Sequence, residues 1–291
     1  MAAALTITSP ASAENELLSK AIRGVKYTFF KDGMLFYNSG EMLRGTLAKI
    51  ITVKAGYNRF IISAGKEVEF YQSGAPASGY VAKDANILVG GRTLQFSKEM
   101  PIRLFESGAV ESGYLAKETR LRIGRNKLLF KRGMEEGDDM SFHPSGRIAS
   151  GMLAKKSVIR VGKRSLPMVW RIGFYASGKT EWGHLAEDMV LVIGENRLLF
   201  AGSEYHNIEF SEAGEVERGY LASAQKAVVG GVPVMLDCNI EFAKGMLVRK
   251  GYLAEEFTFR ARKFSQFKSV IFSYDGEGKL AGVEQYRHPE R

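Results

Sequence analysis

The residues best suited to binding a ligand are basic, and they cluster in one part of the chain. The segment RLRIGRNKLLFKR, residues 120–132, carries six Lys or Arg residues and no acid. The pattern returns after Ala154, where Arg160 stands at the place of Arg122 and Lys163 at the place of Arg125. Clustered positive charge attracts anions. We therefore predict an anion-binding patch made of these residues: Arg122, Arg125, Lys127, Arg160, Lys163 and Arg164.

The whole chain shares this basic character. It has 41 Lys and Arg residues against 32 Asp and Glu, a formal net charge of +9. Such a surface favours an acidic partner, and we expect an acidic glycan, an anionic lipid headgroup, nucleic acid or an acidic protein. The alternative is that the charge serves solubility alone.

Other reactive side chains do not form a catalytic or metal-binding pattern. Cys238 is the only cysteine, which excludes an intrachain disulfide, and we expect it to be a buried, inert thiol. The acidic run EEGDD at 135–139 lacks the spaced D-x-D-x-D-G ladder of a calcium loop. No two of the four histidines share a metal-ligand spacing: His143, His184, His206 and His288. The nucleophile-elbow, P-loop and dinucleotide fingerprints are also missing from the sequence.

From these features we expect a protein with no catalytic residues, no cofactor and no metal, and therefore not an enzyme. The alternative is a hydrolase that acts on a polymer. It would need two carboxylates from neighbouring repeats at a separation of about 5–10 Å.

The N-terminal segment MAAALTITSPASAENE is set apart from the rest. Ala11-Ser12-Ala13 before Glu14 resembles the small-residue site of a cleaved export signal. We interpret residues 1–19 as a disordered N-terminus or the remnant of a signal peptide. This favours export to the periplasm or beyond, with the cytoplasm as the alternative.

Residues 20–288 contain an internal repeat whose copies end in a G-x-L-A tetrad. The closing residues are Ala48, Ala82, Ala116, Ala154, Ala186, Ala222 and Ala254. Each tetrad closes a block that opens with an apolar-x-Phe triplet such as Met34-x-Phe36, with Leu104 in place of Phe in the third copy. A Gly follows at the seventh place, shifted to Gly245 in the seventh copy, and another at the twelfth. Side chains that alternate in twos indicate a strand, and Gly favours a tight turn, so the block predicts a β-hairpin. In the third copy Val110 and Leu115 have opposite parity, and we expect a bulge at Gly113 to bring them to one face.

A second hairpin follows each tetrad. In the third copy its apolar residues are Leu121 and Ile123, then Leu128 and Phe130, on either side of Gly124. Between each tetrad and the next block lie 20, 20, 24, 18, 22 and 18 positions. These even gaps keep alternating side chains on one face, which favours strands over helices. Each copy therefore holds about four short strands, and half copies at both ends match Gly24 with Phe30 and Val270 with Phe272 and Gly276.

The hairpin motifs resemble a known class of repeat. FYQSGAPASGY, LFESGAVESGY and FSEAGEVERGY are similar to MORN-type repeats and to the hairpin repeats of YwqK-antitoxin-like bacterial proteins. The resemblance covers nearly the whole chain, although the period of about 34 residues exceeds that of a MORN unit. It implies an open, meandering β-sheet that serves as a scaffold or binding surface.

We therefore predict an all-β fold made of one repeat domain from 20 to 288. Its preferred form is an open single-layer meander or solenoid in which each copy packs on the next. The alternative is a closed β-propeller of seven or eight blades. A row of tyrosines before the Leu-Ala pair is expected to form a ladder: Tyr80, Tyr114, Tyr220 and Tyr252.

Overall fold

A computed structural model describes residues 16–287, and all of its regular structure in that range is β. The prediction of an all-β fold is confirmed. Among these residues there is no helix, and hence none with the length and apolarity to cross a membrane. Of residues 1–19, interpreted as a disordered end or a signal-peptide remnant, residues 1–15 lie outside the described part, and that interpretation stays a prediction.

The chain divides into two compact units, Met1–Gly113 and Tyr114–Arg291. The strands of unit 1 are β1 (Leu17–Ile22), β2 (Val25–Phe30), β3 (Leu35–Phe36), β4 (Met42–Thr46), β5 (Ile51–Ala55), β6 (Asn58–Ile62), β7 (Glu67–Phe70), β8 (Pro76–Tyr80), β9 (Ala85–Val89), β10 (Arg92–Phe96), β11 (Pro101–Leu104) and β12 (Val110–Gly113). The first strand begins three residues before the predicted domain boundary, and the boundaries at 20 and 288 stay predictions.

The strands of unit 2 follow the same alternation of hairpins. They are β13 (Thr119–Ile123), β14 (Asn126–Phe130), β15 (Met140–Phe142), β16 (Ile148–Met152), β17 (Ser157–Val161), β18 (Arg164–Phe174), β19 (Thr180–Leu185), β20 (Met189–Ile193), β21 (Asn196–Phe200), β22 (Asn207–Phe210), β23 (Val216–Tyr220), β24 (Gln225–Val229), β25 (Val232–Phe242), β26 (Val248–Leu253), β27 (Phe257–Phe259), β28 (Arg262–Phe264), β29 (Ser269–Tyr274) and β30 (Leu280–Gln285).

First hairpins build the main sheet of each unit, because they pair with one another. In unit 1 strand β4 pairs antiparallel with β7, and β8 with β11. In unit 2 the joining pairs are β16 with β18, β19 with β22, β23 with β25 and β26 with β29. Propeller blades pack face to face without such pairing, so the propeller alternative is wrong. Among the described residues no pairing joins β3 to β12 or β15 to β30, and each unit's meander is open.

Second hairpins form a layer that covers one face of the main sheet, and two of them continue into that sheet through the long strands β18 and β25. In unit 2 the aromatic ring of Phe200, the last residue of β21, lies over Gly219 of β23. A Cβ at Gly219 would approach that ring to 2.7 Å, closer than real Cβ contacts occur. Phe130 covers Gly151 in the same way, and Leu236 covers Gly251. The twelfth-place Gly is therefore required for close packing of the two layers, and these glycines do not have a positive φ.

The expected bulge is present, but it lies earlier in the strand. The register shifts between Arg103 and Leu104, opposite Val110 to Ser112, so the extra residue is Glu111 and not Gly113. Val110 and Leu115 are both buried as expected. The same shift recurs in the other first hairpins, for example between Glu209 and Phe210.

The two ends of the repeat depart from the predicted pattern. Phe36 is 45% exposed, because β3 has only two residues and lies at the edge of the main sheet of unit 1. In the first half copy the buried residue is Phe29 and not Phe30, since the turn is Arg23-Gly24. In the last half copy β29 and β30 extend two residues further, and the turn residue with positive φ is Gly278 instead of Gly276.

Candidate functional site

The site is built where the tips of second hairpins touch the turns of first hairpins in unit 2. The β13–β14 tip at Gly124 lies against Gly178, which closes the β18–β19 turn. The next tip, at Gly162, lies against Ala213 and Gly214 in the β22–β23 turn. A Cβ at Gly214 would come within 2.5 Å of the Gly162 nitrogen, so only glycine allows this approach.

A groove of about 370 Å³ lies between these two neighbouring tip contacts. This volume falls in the range typical of small-molecule sites. Its lining consists of Gly124, Arg125, Asn126, Arg160, Val161, Gly162, Ser177, Gly178, Lys179, Thr180, Ser211, Glu212, Ala213 and Gly214. The lining is a mixture of polar and apolar surface and contains no aromatic side chain.

Three basic residues line the groove, and they come from three different hairpins. Arg125 lies at the β13–β14 tip, Arg160 on β17 and Lys179 in the β18–β19 turn. Within residues 16–287 none of the three side chains forms a salt bridge. The one acidic residue of the lining is Glu212. The groove therefore has a positive charge that the described protein does not neutralise.

Thr180 gives the groove a second unusual feature. It is 4% exposed, and its hydroxyl is buried with no hydrogen-bond partner in the described protein. The equivalent position, two residues after the turn, is Val216 in the next copy and Val248 in the one after. A buried hydroxyl without a partner destabilises the folded protein, so Thr180 in place of an apolar residue is not explained by packing alone.

Asn126 holds the backbone of Arg160, which lies in the next repeat, through two hydrogen bonds. The Arg160 backbone N–H donates to Asn126 Oδ1 at 2.9 Å, and Asn126 Nδ2 donates to the Arg160 carbonyl at 3.4 Å. The same two-point contact links Asn196 to Val228, and in unit 1 it links Asn58 to Leu88. Second hairpins are thereby joined edge to edge, and Arg160 is fixed beside the β13–β14 hairpin.

The other predicted patch residues lie on the outer face of the same layer or at its tips. Arg122 pairs directly with Lys127 across β13 and β14, and both are exposed, as the alternation with Leu121 and Ile123 predicts. Lys163 is exposed at the β17–β18 tip. The outer-face residues and the two tips thus bring five of the six predicted residues into one region of unit 2.

Arg164, the sixth, has a different role. Its guanidinium donates to the Gly214 carbonyl at 3.3 Å and to the Val192 carbonyl at 3.0 Å. It is only partly exposed and holds neighbouring repeats together. Its charge contributes to the local potential, but two of its hydrogen-bond donors are already engaged by backbone carbonyls.

A structural ladder that sequence analysis missed accounts for His143. In first-hairpin turns, a side chain at one fixed place donates to the carbonyl that ends the next copy's strand. Tyr71 bonds Leu104 at 2.8 Å, and Tyr175 bonds Phe210 at 2.6 Å. His143 takes the same place, with Nε2 at 2.8 Å from the Phe174 carbonyl. The signal was present in the sequence as an aromatic residue or His three residues before the turn Gly in the first five copies.

The acidic run at 135–139 is structural. Asp138 is buried, receives a salt bridge from Lys131 at 3.0 Å and accepts from the backbone N–H of Met134 and Glu135. Asp139 pairs with Arg171. No group of His, Cys, Asp and Glu suited to a metal occurs among the described residues.

The expectation that Cys238 is buried is wrong. It is exposed, because it lies at an irregular point of β25 where its φ is 54° and the strand changes register. Partial desolvation and the carboxylate of Asp237 raise the pKa of its thiol, which disfavours the reactive thiolate.

The tyrosines at the place before Leu-Ala have different neighbours. Tyr220 stacks on His206 with ring centroids 4.5 Å apart, and Tyr114 packs on Gly133. In unit 1 the ammonium of Lys66 lies 5.4 Å from the ring of Tyr80. Strand β25 separates Tyr220 from Tyr252, so these two side chains do not form the predicted ladder.

Comparison with known proteins adds no identification. Neither the scan against protein-family models nor the search of curated proteins gives a match.

Proposed function

We propose that this protein is a non-enzymatic repeat scaffold whose second unit binds an anionic polymer. The observation that carries the proposal is the row of basic side chains on the outer face of the second hairpins. Arg122 and Lys127 are directly opposite, and Asn126 fixes Arg160 next to them.

Like charges directly opposite each other on a sheet are destabilising. Arg122 and Lys127 are such a pair, and the unneutralised Arg125 and Arg160 lie close by. A bound polyanion would neutralise Lys127, Arg125 and Arg160 together, because its acid groups repeat along the polymer. Counterions released from the polymer would add to the affinity and make it dependent on salt.

Two features favour an acidic glycan over the other anionic partners. The groove between the tips is concave, whereas a membrane surface offers only a broad face. Its lining also has no aromatic residue on which a nucleic-acid base would stack. The MORN-like assignment likewise stays a proposal, supported by the open hairpin meander of each unit.

A hydrolase remains the competing function. Acid-base hydrolysis of a glycan needs two carboxyl groups about 5–10 Å apart. Among the residues lining the groove, Glu212 alone carries a carboxylate. This supports binding without turnover.

The test compares two charge-reversal variants with equal net charge. The patch variant changes Arg122, Arg125, Arg160 and Lys163 to Glu. The control variant changes four exposed basic residues away from the patch to Glu: Lys54, Arg59, Lys226 and Lys268. Binding of heparin, acidic liposomes and double-stranded DNA is measured at low salt.

We expect the patch variant to lose heparin binding and the control variant to keep most of it. Equal binding by the two variants would contradict the proposal. Preferential loss of liposome binding would assign the surface to membranes instead. Release of reducing ends from a polysaccharide by the purified protein would favour the hydrolase.

A further inference from the structure

We propose that the groove between Gly124, Gly162, Gly178 and Gly214 is a subsite for one acidic sugar residue. Its ligand is a ring-sized unit that carries a carboxylate or sulfate together with free hydroxyls. The inference rests on the proposed function, since Arg125 and Arg160 belong to both the patch and the groove.

The acid group of the ligand is recognised by the cations of the groove. Arg125, Arg160 and Lys179 line one concave space and form no salt bridge within residues 16–287. Guanidinium groups bind carboxylate and sulfate through paired hydrogen bonds, and an ammonium adds a third donor. An anion seated here neutralises charge that the described protein leaves uncompensated.

The hydroxyls of the ligand are recognised by the two turns that form one wall. Glu212 offers a carboxylate that accepts hydrogen bonds but donates none. Ser177 and Ser211 each accept from a backbone N–H, at 3.4 and 3.2 Å, and keep their own hydroxyl hydrogen to donate. A ligand that was only an anion would be repelled by Glu212. A hydroxyl-bearing anion satisfies the cations and the carboxylate together.

Thr180 marks this groove as different from its neighbours along the repeat. Its hydroxyl has no partner in the described protein, whereas Val216 and Val248 fill the same place without one. The hydroxyl is not exposed in the unliganded protein although the residue lines the groove. To bond a ligand in the groove, the hydroxyl must leave this buried position by rotation about χ1.

The next copy shows which side chains this fold accepts at the places of Arg160, Lys179 and Thr180. Val192 stands at the place of Arg160, Glu215 at the place of Lys179 and Val216 at the place of Thr180. The preceding copy keeps the two cations, with Arg122 at the place of Arg160 and Arg147 at that of Lys179, but has Ile148 at the place of Thr180. Thr180 is therefore the residue that distinguishes this groove from both neighbouring copies. Replacing Arg160, Lys179 and Thr180 by the residues of the next copy keeps side chains that this fold already accommodates.

The experiment uses the full chain and calorimetric titration. The probes are a heparin tetrasaccharide, a trigalacturonate, neutral maltotetraose and tripolyphosphate, which is anionic but bears no sugar hydroxyls. The repeat-matched variant is Arg160→Val, Lys179→Glu and Thr180→Val together. Its charge-matched control is Lys226→Val with Lys268→Glu, both exposed residues outside the patch.

We expect both acidic oligosaccharides to bind the parent protein at least about tenfold more tightly than maltotetraose or tripolyphosphate. The repeat-matched variant should lose about tenfold or more, and the control less than about twofold. Thr180→Val alone should weaken binding about three- to tenfold, and Thr180→Ser, which keeps the hydroxyl, should restore it.

The two proposals fail separately. If heparin binds but the repeat-matched variant behaves like its control, or tripolyphosphate binds as tightly as the sugars, the subsite is wrong and the scaffold function stands. If the oligosaccharides bind through Thr180 but longer heparin gains no affinity from Arg122 and Lys127, the extended surface is wrong and the subsite stands. If no probe binds the parent protein, both are wrong.

Discussion

Replacing Thr180 by Val should stabilise the protein, although Thr180 is part of the proposed site. Valine has the shape of threonine with a methyl in place of the hydroxyl. The Thr180 hydroxyl is buried without a partner, and Val216 shows that the next copy accommodates the apolar side chain. Removing an unsatisfied buried hydroxyl should raise the free energy of unfolding by about 1–3 kcal/mol.

A change of this size in the free energy of unfolding can be measured by denaturation. In a unit of this size, about 1 kcal/mol corresponds to a rise of about 2–4 °C in Tm, which thermal and urea denaturation both resolve. The reverse change, Val216→Thr, is the matched control and should destabilise by a similar amount, because it buries a new hydroxyl. Thr180→Ser should also destabilise, since it keeps the hydroxyl and removes a buried methyl.

A loss of stability in Thr180→Val would refute this reasoning. It would mean that the hydroxyl is hydrogen-bonded in the folded protein, and the argument for an unmet ligand contact would fall. Gain of stability together with loss of sugar binding is the expected combination, since binding sites often retain residues that cost stability.

Three further predictions follow from the packing. Gly219→Ala should destabilise unit 2 by about 1–3 kcal/mol in urea denaturation, because the added Cβ would clash with the Phe200 ring. Gly276→Ala is the control and should change the urea midpoint little, since open space surrounds Gly276. Tyr175→Phe should cost about 0.5–1.5 kcal/mol in urea denaturation, since it removes the bond that its hydroxyl donates to the next copy; no change would show that this ladder is not stabilising. Burial lowers the pKa of His184, so the unfolded chain takes up a proton at that site more readily, and stability should fall as the pH is lowered below about 6.5. His184→Gln should make the free energy of unfolding, measured by urea titration, depend less on pH in that range. An unchanged dependence on pH would contradict His184 as the cause.

The sequence predicted the strands and their buried faces well because the repeat averages out local ambiguity, but it did not predict that the second hairpins cover the main sheet as a second layer. Seven copies of the same alternation identify the buried residues, and pairs such as Ile159 and Val161 are buried as expected. The even lengths of the gaps are weaker evidence for strands. The extra residues of the longest gap lie in the loop at 131–139, outside the strands, where parity does not control which face a side chain occupies.

Other features depend on contacts between copies that spacing does not reveal. The twelfth-place glycine of the third copy was expected to form a bulge, yet its equivalent Gly219 is required because Phe200 packs over it. Arg164 appeared equivalent to the other basic residues, but the fold brings two backbone carbonyls within reach of its guanidinium. Phe36 fitted the repeat and is nevertheless exposed, because no earlier first hairpin lies beyond β3 in the described part of unit 1.

Part of the candidate site could be predicted from the sequence. Charge equivalence between copies located Arg122, Arg125 and Arg160, since repeats place equivalent residues side by side. Lys179 and Thr180 were not found, because they lie far along the chain and join the groove only through the contact of Gly124 with Gly178. A search for polar residues in an otherwise apolar column of the aligned repeat would have identified Thr180.

The most direct test of the central claim is the salt dependence of heparin affinity for the parent protein and for the variant with Glu at Arg122, Arg125, Arg160 and Lys163. We expect the logarithm of the parent's affinity to fall steeply and linearly with the logarithm of the sodium chloride concentration. In the variant both the affinity and the slope should be reduced, because fewer counterions are released on binding. A parent affinity that does not depend on salt, or an equal slope in the two proteins, would contradict the claim that this basic surface binds a polyanion.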